Sequence, residues 1–400
     1  MWLSAVGIAF AAYLLLVRRL RYRQRDRFLE QFTSSELEHM TPATAQKIAL
    51  NSLHYDNVVT MTLGTYVALF KVFGIPSVAS LLIKTGSFEN ARSISKRLAD
   101  TNVLLSTLIT NPFTGPGSGN DAGIDDPRGA IAVARMNYLH GRYNINNDDM
   151  RYNLALFVLE PMKWTAHFDW RPHSPIECQA MFVMWCEIGR RMGIANLWST
   201  LDEMDAWAAA YEEERMQPSE ASFELAHTLL EHYYDRLPGI PGARRFLRNV
   251  VHSILDERTR RAMGLPDPSP SVRRTVYGLF HLRAFVVRHF CLPRRKPLYW
   301  ADVKPPGPDG RLHTIYQRRG GPWYYPEATG LAKIKQDIKV SLGILPHEKV
   351  PGPQWRSQGY RLEEIGPTRF EREGHEEVMA QAAQIHGQEI KGPLGLRPEK

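Results

Sequence analysis

Apolar residues in the middle of the chain recur at the spacing of three and four positions that is typical of amphipathic helices. The clearest case is a predicted helix over residues 87–110. Its inward positions follow one another at spacings of four, three, four and three residues: Ile94, Leu98, Thr101, Leu105 and Leu108. The alternating pattern of a half-buried strand is nearly absent, so the sequence predicts an all-α fold.

Capping signals separate the successive helices of a predicted domain over residues 41–292. Pro42 follows Thr41, which places a proline at a first helical position. Ser174 and Glu177 have the spacing of a capping box. We therefore expect one large helical domain rather than a chain of small ones.

The amino-acid composition changes after this domain. The segments PRRKPLYW and VKPPGPDG are basic and rich in proline. Its last part, residues 371–400, is polar, with one short helical pattern. Residues 293–400 are therefore predicted to be an irregular extension that packs on the helical domain and ends in a loose tail.

The N-terminus has the pattern of a single-pass membrane anchor. Residues 2–17 carry no charge, and as a helix rising about 1.5 Å per residue they nearly cross a hydrocarbon core about 30 Å thick. A cleaved signal peptide is the alternative, but it carries positive charge before the apolar run, whereas here Arg18 and Arg19 follow it. We expect an anchor over 1–17, a basic juxtamembrane segment over 18–40 and, by the positive-inside rule, a cytosolic body.

Composition and charge narrow the class of protein. The 400 residues are 44% hydrophobic, enough for a large core, and the net charge is +8. No zinc-finger, RNP or basic-zipper pattern occurs, so we expect no nucleic-acid partner. The three cysteines form no CxxC or CxxCH, which predicts a reducing compartment and no covalently attached haem.

A late apolar helix, predicted over residues 271–296, is edged by arginines. Such a helix lies at a membrane surface or forms part of the core with a solvated basic edge. The sequence alone does not choose between these two interpretations.

Arg97 and Thr101 lie one turn apart on the helix predicted over 87–110, beside its apolar stripe. Polar groups in such a place need hydrogen-bond partners, since burying them without partners is costly. Arg97 is either a structural arginine paired with a carboxylate such as Asp100, or part of a binding site.

His140 lies near the end of a predicted helix over 128–143 and shares a face with Val133 and Met136. It is either a satisfied core histidine or a metal ligand. A haem needs only one axial imidazole in an apolar pocket, with arginines for its propionates. Arg135 and Arg142 flank His140 and are candidates for those contacts.

Arg97-Leu-Ala-Asp-Thr101, followed after about forty residues by His140, resembles the pattern of the haem-dependent latex-clearing proteins, or rubber oxygenases. The similarity is greater to their fungal relatives, the ER-bound oxygenases of the MpaB type from mycophenolic acid biosynthesis. Further stretches resemble this group in order and spacing: FGIPSVASLLIKTGSF (73–88), LALFVLEPMKW with HFDWR (154–171), MGLPDPSPS (263–271) and QGYRLEEIGPTRFEREGH (358–375). The resemblance therefore spans nearly the whole chain.

The resemblance implies a globin-like helical core that binds haem b without a covalent link. His140 is then the proximal iron ligand, and Arg97 and Thr101 line the distal side, where O₂ binds as co-substrate. The implied reaction is oxidative cleavage of a carbon–carbon double bond in a prenyl or other unsaturated side chain of a secondary metabolite. The implied location is the endoplasmic reticulum membrane, with the catalytic domain on the cytosolic side and a hydrophobic small molecule as substrate.

Two positions depart from the rubber oxygenases. Asp100 stands where they carry a lysine, which leaves the second axial ligand undefined, and Asn137 stands where they carry an arginine. Glu89 is a candidate for their acidic base.

Two other functions remain open from the sequence. Glu36 with His39, and Glu224 with His227, have the ExxH spacing of di-iron oxygenases, which also need further inward glutamates. A non-catalytic, membrane-tethered binder of a hydrophobic metabolite would also have an anchor and an apolar interior.

Overall fold

The computed structural model describes residues 2–32, 37, 39–120, 124–234, 242–299, 305–315 and 321–396. Most of these residues are helical, and the strand-like pairing among them is confined to an isolated antiparallel bridge between Leu312 and Tyr360. The predicted all-α fold is therefore confirmed. In chain order the helices are α1 (Trp2–Gln31), α2 (Pro42–Asn51), α3 (Val58–Val72), α4 (Pro76–Lys84), α5 (Ala91–Thr110), α6 (Arg128–His140), α7 (Asn147–Phe168), α8 (Pro175–Arg191), α9 (Leu201–Arg215), α10 (Glu220–Tyr234), α11 (Ala243–Ile254), α12 (Glu257–Ala262), α13 (Pro270–Phe290), α14 (Gly330–Ser341) and α15 (His375–His386).

The helices form two compact units. The first is made of residues up to Leu81 together with Asn146–Leu298, and the second of Leu82–Ile145 together with Tyr299–Lys400. The C-terminal extension predicted from the sequence thus contains α14 and α15 and belongs to the same unit as α5 and α6. All the residues proposed above to bind haem lie in this second unit.

Close backbone contact between α3 and α7 organises the first unit. A Cβ atom on Gly64 would lie 2.5 Å from Pro161 Cα, so only glycine permits this approach. Beside this contact, the buried Lys71 ammonium lies 3.2 Å from Glu160 Oε1 and 2.9 Å from Glu212 Oε2. Opposite charges at this distance compensate for the burial of the lysine.

Helix α1 is continuous through both the predicted anchor and most of the basic segment. It is long and apolar enough to cross a membrane. Residues 2–12 of α1 are all exposed, with Trp2 and Leu3 about as exposed as in an extended chain. An apolar surface of this length is expected to be covered by lipid or by another apolar surface.

In the second unit, α6 packs against both α5 and α15. Helix α5 begins at Ala91 rather than at Ser87, because the Asn90 side chain accepts hydrogen bonds from the backbone of Arg92 (3.1 Å) and Ser93 (2.9 Å). Its predicted inward face is buried at both ends but only half-buried in the middle, at Leu98, Thr101 and Leu105. This gap in burial marks the part of α5 that carries the polar candidates.

Candidate functional site

His140 is the last residue of α6 and is half-buried. Its Nδ1 atom is fully enclosed, and neither ring nitrogen forms a hydrogen bond with another residue that the structure describes. Burial, and secondarily the positive charge of Arg97, lower the pKa of His140 to about 4. The imidazole is therefore neutral at physiological pH, which is the form that binds a metal.

Arg97 and Thr101 lie one turn apart in the middle of α5, and both are half-buried. Within the described ranges, neither side chain forms a hydrogen bond or an ion pair. Burial lowers the pKa of Arg97, while the nearby Asp100 and Tyr143 oppose that shift. A desolvated guanidinium without a contacting carboxylate is costly in a purely structural role, and it suits a site that receives a ligand.

Two of these side chains share one further property. Arg97 and His140 keep accessible surface, yet desolvation is the largest cause of the pKa shift of each. The charged forms of both groups are therefore poorly hydrated, although each side chain is only half-buried. Helix α6, which carries His140, packs against α5, which carries Arg97, and the positive charge of Arg97 contributes to the lowered pKa of His140.

Asp100 does not pair with Arg97 at contact distance. It is only 3% exposed, and its carboxylate accepts hydrogen bonds from Lys96 Nζ (2.8 Å) and the Tyr324 hydroxyl (2.6 Å). Lys96 also donates to the Gly366 carbonyl (2.6 Å) and lies 3.0 Å from Glu371 Oε1. Both oxygens of Asp100 are thus engaged in a polar cluster, an arrangement that holds the carboxylate in place and disfavours a shift to an iron ligand.

The polar cluster around Asp100 was not anticipated from the sequence. The four-residue spacing of Lys96 and Asp100 on one helix was a usable signal. Tyr324 and Glu371 come from the C-terminal region, and nothing in their local sequence indicates this contact.

Arg135 is completely buried in α6. Its three guanidinium nitrogens donate to the carbonyl oxygens of Ile365 (2.7 Å), Glu373 (2.9 Å) and Phe370 (2.7 Å). These bonds fix the backbone of residues 365–373 against α6. This geometry favours a structural role, and we leave Arg135 out of the proposed cofactor contacts.

Arg142 is exposed just beyond the end of α6. Its guanidinium donates to the Tyr138 hydroxyl and stacks over the Tyr138 ring at 4.3 Å. Asn137, one turn before His140, is half-buried, and Glu89 is exposed before the start of α5. The structure thus places Arg97 and Thr101 half-buried on α5 and His140 half-buried at the end of the adjacent α6, whereas Arg142 and Glu89 lie at the surface.

The di-iron motifs do not form a metal centre in the described part of the chain. Glu36 lies outside the described residues, whereas Glu224 and His227 are both exposed on α10. Among the residues that the structure describes, no group of three or more His, Cys, Asp and Glu side chains is placed to hold a metal ion. A haem, which takes a single imidazole from the protein, requires no such group.

Comparison with known proteins shows the family to which the chain belongs. The family described as ER-bound oxygenase mpaB/B'/Rubber oxygenase, catalytic domain, matches residues 55–288, which include α5 and α6. The ER-bound oxygenase mpaB' of Penicillium brevicompactum is 28% identical over 94% of this chain and 90% of its own length. The ER-bound oxygenase mpaB of Penicillium roqueforti is 30% identical over 66% of this chain and 90% of its own length. The relatives are named as oxygenases, and the match covers more than half of the sequence, so the chain belongs to the mpaB/B' and rubber oxygenase catalytic-domain family.

Proposed function

We propose that this protein is a membrane-anchored, haem b-dependent oxygenase that cleaves a carbon–carbon double bond. The proposed substrate is a hydrophobic small molecule, such as a secondary metabolite with a prenyl or other unsaturated side chain. The observation that carries the proposal is the neutral imidazole of His140, on a helix packed against the one that carries Arg97, with no hydrogen-bond partner for either side chain among the described residues. Membership of an oxygenase family supports the class of reaction.

The residues of the second unit fit a haem. His140 offers a neutral imidazole with no hydrogen-bond partner at either nitrogen among the described residues, which suits the single protein ligand of a b-type haem. Arg142 is a candidate for a propionate contact, since it lies beyond the end of the same helix and has only Tyr138 as a described partner. When bound, the haem iron supplies the activation of O₂ that side chains alone do not provide.

The chain's own residues have three tasks in this proposal. Arg97 and Thr101 supply hydrogen-bond donors that orient an oxygen-bearing reactant or a carbonyl product. Leu98 and Leu105, half-buried beside them on α5, supply apolar surface for an isoprenoid chain. The same apolar surface excludes water, which protects reactive species from side reactions.

The proposed location is the endoplasmic reticulum membrane, with α1 as a single span and the catalytic domain on the cytosolic side. The relatives are named ER-bound, and α1 has the length and apolarity of a span. The arginines that follow the apolar stretch favour this orientation, because cytosolic flanks are enriched in positive charge. A span of this kind would hold the protein where a hydrophobic substrate partitions.

The optical spectrum of the purified full-length protein tests the proposal directly. We expect a Soret band, a shift of that band with carbon monoxide after reduction, and loss of both in His140→Ala with the helical content retained. His227→Ala is the matched control, because this exposed histidine belongs to the competing di-iron motif. A normal haem spectrum in His140→Ala would falsify the ligand assignment.

Two further results of the same preparation would redirect the proposal. Protein-bound iron without a Soret band would favour a di-iron oxygenase. Protein without haem or iron that retains a prenylated compound would favour a non-catalytic binder.

A further inference from the structure

Helix α13 has two different faces. One face packs in the first unit, where Val276 is buried and the rings of Tyr277 and Phe280 lie 5.0 Å and 5.2 Å from the ring of Phe168. On the same side, Arg283 Nη1 lies 3.2 Å from Asp169 Oδ1. These contacts fix the orientation of α13. The exposure of its other face therefore follows from how the helix is packed and does not reflect loose packing.

The other face of α13 exposes large apolar side chains over its C-terminal half. Leu279, Leu282 and Phe285 are 58%, 57% and 54% exposed, and Val286 and Phe290 are exposed beside them. We call these five residues the α13 apolar face. Single exposed apolar residues are ordinary, but a cluster on one side of a helix marks a surface that contacts another apolar phase or partner.

Contacts with α1 set the depth of this face. The Tyr13 hydroxyl donates to the Phe290 carbonyl (2.8 Å), and Arg21 Nε donates to the Cys291 carbonyl (2.6 Å). Tyr13 and Arg21 lie on either side of Val17, the last residue of the uncharged stretch of α1. The C-terminal end of α13 is therefore attached where the apolar part of α1 gives way to its basic part.

That boundary in a membrane-spanning helix corresponds to the region between acyl chains and headgroups. An aromatic contact extends this attachment towards the acyl chains, since the rings of Phe10 and Phe290 stack at 6.3 Å. Phe10 belongs to the uncharged stretch of α1. The α13 apolar face thus continues the apolar surface of α1 sideways, at the level of the interface.

The charge of this region matches a phospholipid surface. Residues 270–299 contain seven Lys and Arg residues and no Asp or Glu. Arg288 is exposed beside the apolar face, and Arg294, Arg295 and Lys296 are exposed just after the helix. An apolar face with basic residues at its edge is typical of helices that lie in the membrane interface and contact acidic headgroups.

We infer that α13 lies in the cytosolic interface of the membrane as a second attachment, with its apolar face among the acyl chains and its basic residues at the headgroups. This inference rests on the proposed role of α1 as a membrane span. The sequence allowed residues 271–296 to be either a membrane-surface helix or a core helix. Under this inference the helix is both, because one face packs in the core and the other contacts lipid. It also brings the first unit against the bilayer surface rather than leaving it on a flexible tether.

The test uses the full chain in vesicles of phosphatidylcholine and phosphatidylserine. In a background without the three native cysteines, Leu282→Cys carries an environment-sensitive fluorescent label. Glu213→Cys, at an exposed acidic position on α9, is the matched control. Quenching by a nitroxide on the lipid acyl chains is compared with quenching by aqueous iodide, and alkaline carbonate extraction reports separately on α1.

We expect carbonate-resistant protein in which the label at position 282 is quenched from the lipid and has lost quenching by iodide, with the reverse at position 213. Carbonate-resistant protein with an iodide-accessible label at position 282 overturns the inference and leaves the anchor intact. If alkaline carbonate extracts the protein, α1 is not a membrane span, and both the anchor and the inference are overturned. A label protected from both quenchers, together with cross-linking between copies through position 282, assigns the face to a second copy of the chain and also overturns the inference.

Discussion

Lys96 Nζ lies 2.8 Å from Asp100 Oδ2, one turn further along α5, and both side chains are almost completely buried. This pair holds the carboxylate at the position where the resemblance to the rubber oxygenases leads us to expect a lysine. It also connects α5 to the C-terminal region through Tyr324 and Glu371. Asp100 is therefore part of the packing of the second unit.

The first prediction concerns this pair. Asp100→Asn removes the charge that compensates Lys96, and breaking a buried ion pair on one side costs about 3–5 kcal/mol of unfolding free energy. Glu371, 3.0 Å from Lys96, still partly compensates the lysine charge. We therefore expect urea unfolding to show a loss of about 3 kcal/mol of unfolding free energy in Asp100→Asn. The control is Lys163→Ala, which removes an exposed ion pair with Asp205 and is expected to cost at most about 1 kcal/mol. Equal costs for the two variants would contradict the structural role of Asp100.

The second prediction separates haem binding from turnover. Thr101→Val keeps the shape of the side chain and removes its hydroxyl, and Arg97→Gln removes the charge beside His140. Because neither residue is proposed to hold the iron, we expect haem content to remain. Loss of one positioned donor is expected to lower kcat on the order of 10²-fold.

The measurement for the second prediction is turnover per haem, with products identified by mass spectrometry on a prenylated substrate. Arg215→Gln is the control, since Arg215 is an exposed arginine on α9. Full turnover in both Thr101→Val and Arg97→Gln would remove these residues from the proposed site.

Local patterns predicted the helices of this protein well because burial and capping act within a few residues. The stripe from Ile94 to Leu108 identified α5, and its start was misplaced by four residues because Asn90, rather than Ser87, caps the helix. The candidate residues His140, Arg97 and Thr101 are also visible in the sequence as polar groups on apolar faces. The packing of α5 against α6, which local patterns do not specify, places the two helices that carry them side by side.

The features that local patterns did not predict depend on contacts between distant parts of the chain. The sequence makes Arg135 a candidate for a propionate contact because it flanks His140, whereas its partners in the structure are backbone carbonyls of residues 365–373, more than two hundred residues later. A carbonyl acceptor has no sequence signature. The grouping of residues 82–145 with 299–400 is unpredictable from local pattern for the same reason.

The third prediction tests the contact between α3 and α7. In Gly64→Ala the new Cβ would lie 2.5 Å from Pro161 Cα, a backbone atom that cannot rotate away. Because the extra methyl overpacks this contact, we expect the variant to lose about 1–3 kcal/mol or more of unfolding free energy. Gly278→Ala is the control, because a Cβ at this exposed position in α13 meets nothing within 4 Å. Removing a glycine from a helix interior there is expected to stabilise the protein by up to about 1 kcal/mol. Thermal unfolding of the two variants should therefore shift in opposite directions, and a shared direction would contradict the packing described.

The last prediction concerns acid stability. Burial lowers the pKa of His54 to about 4, and burial likewise lowers the pKa of His173 to about 4. The unfolded chain binds protons at these histidines near pH 6.5, whereas the folded chain does so only near pH 4. The free energy of unfolding that these two neutral histidines contribute is therefore fully present above pH 6.5. It is lost as the pH falls from 6.5 towards 4. At pH 5 the loss reaches up to about 2 kcal/mol for each group.

The readout for acid stability is the change in unfolding free energy between pH 7 and pH 5, rather than its absolute value. His54 is only 3% exposed, so His54→Gln is expected to lower stability at both pH values through altered packing. The variant nevertheless has no imidazole to titrate at this position, so its stability should fall less steeply with acid than that of the parent. A pH dependence as steep as the parent's would show that His54 does not resist protonation in the folded state, and that carboxylates or other histidines govern the acid transition.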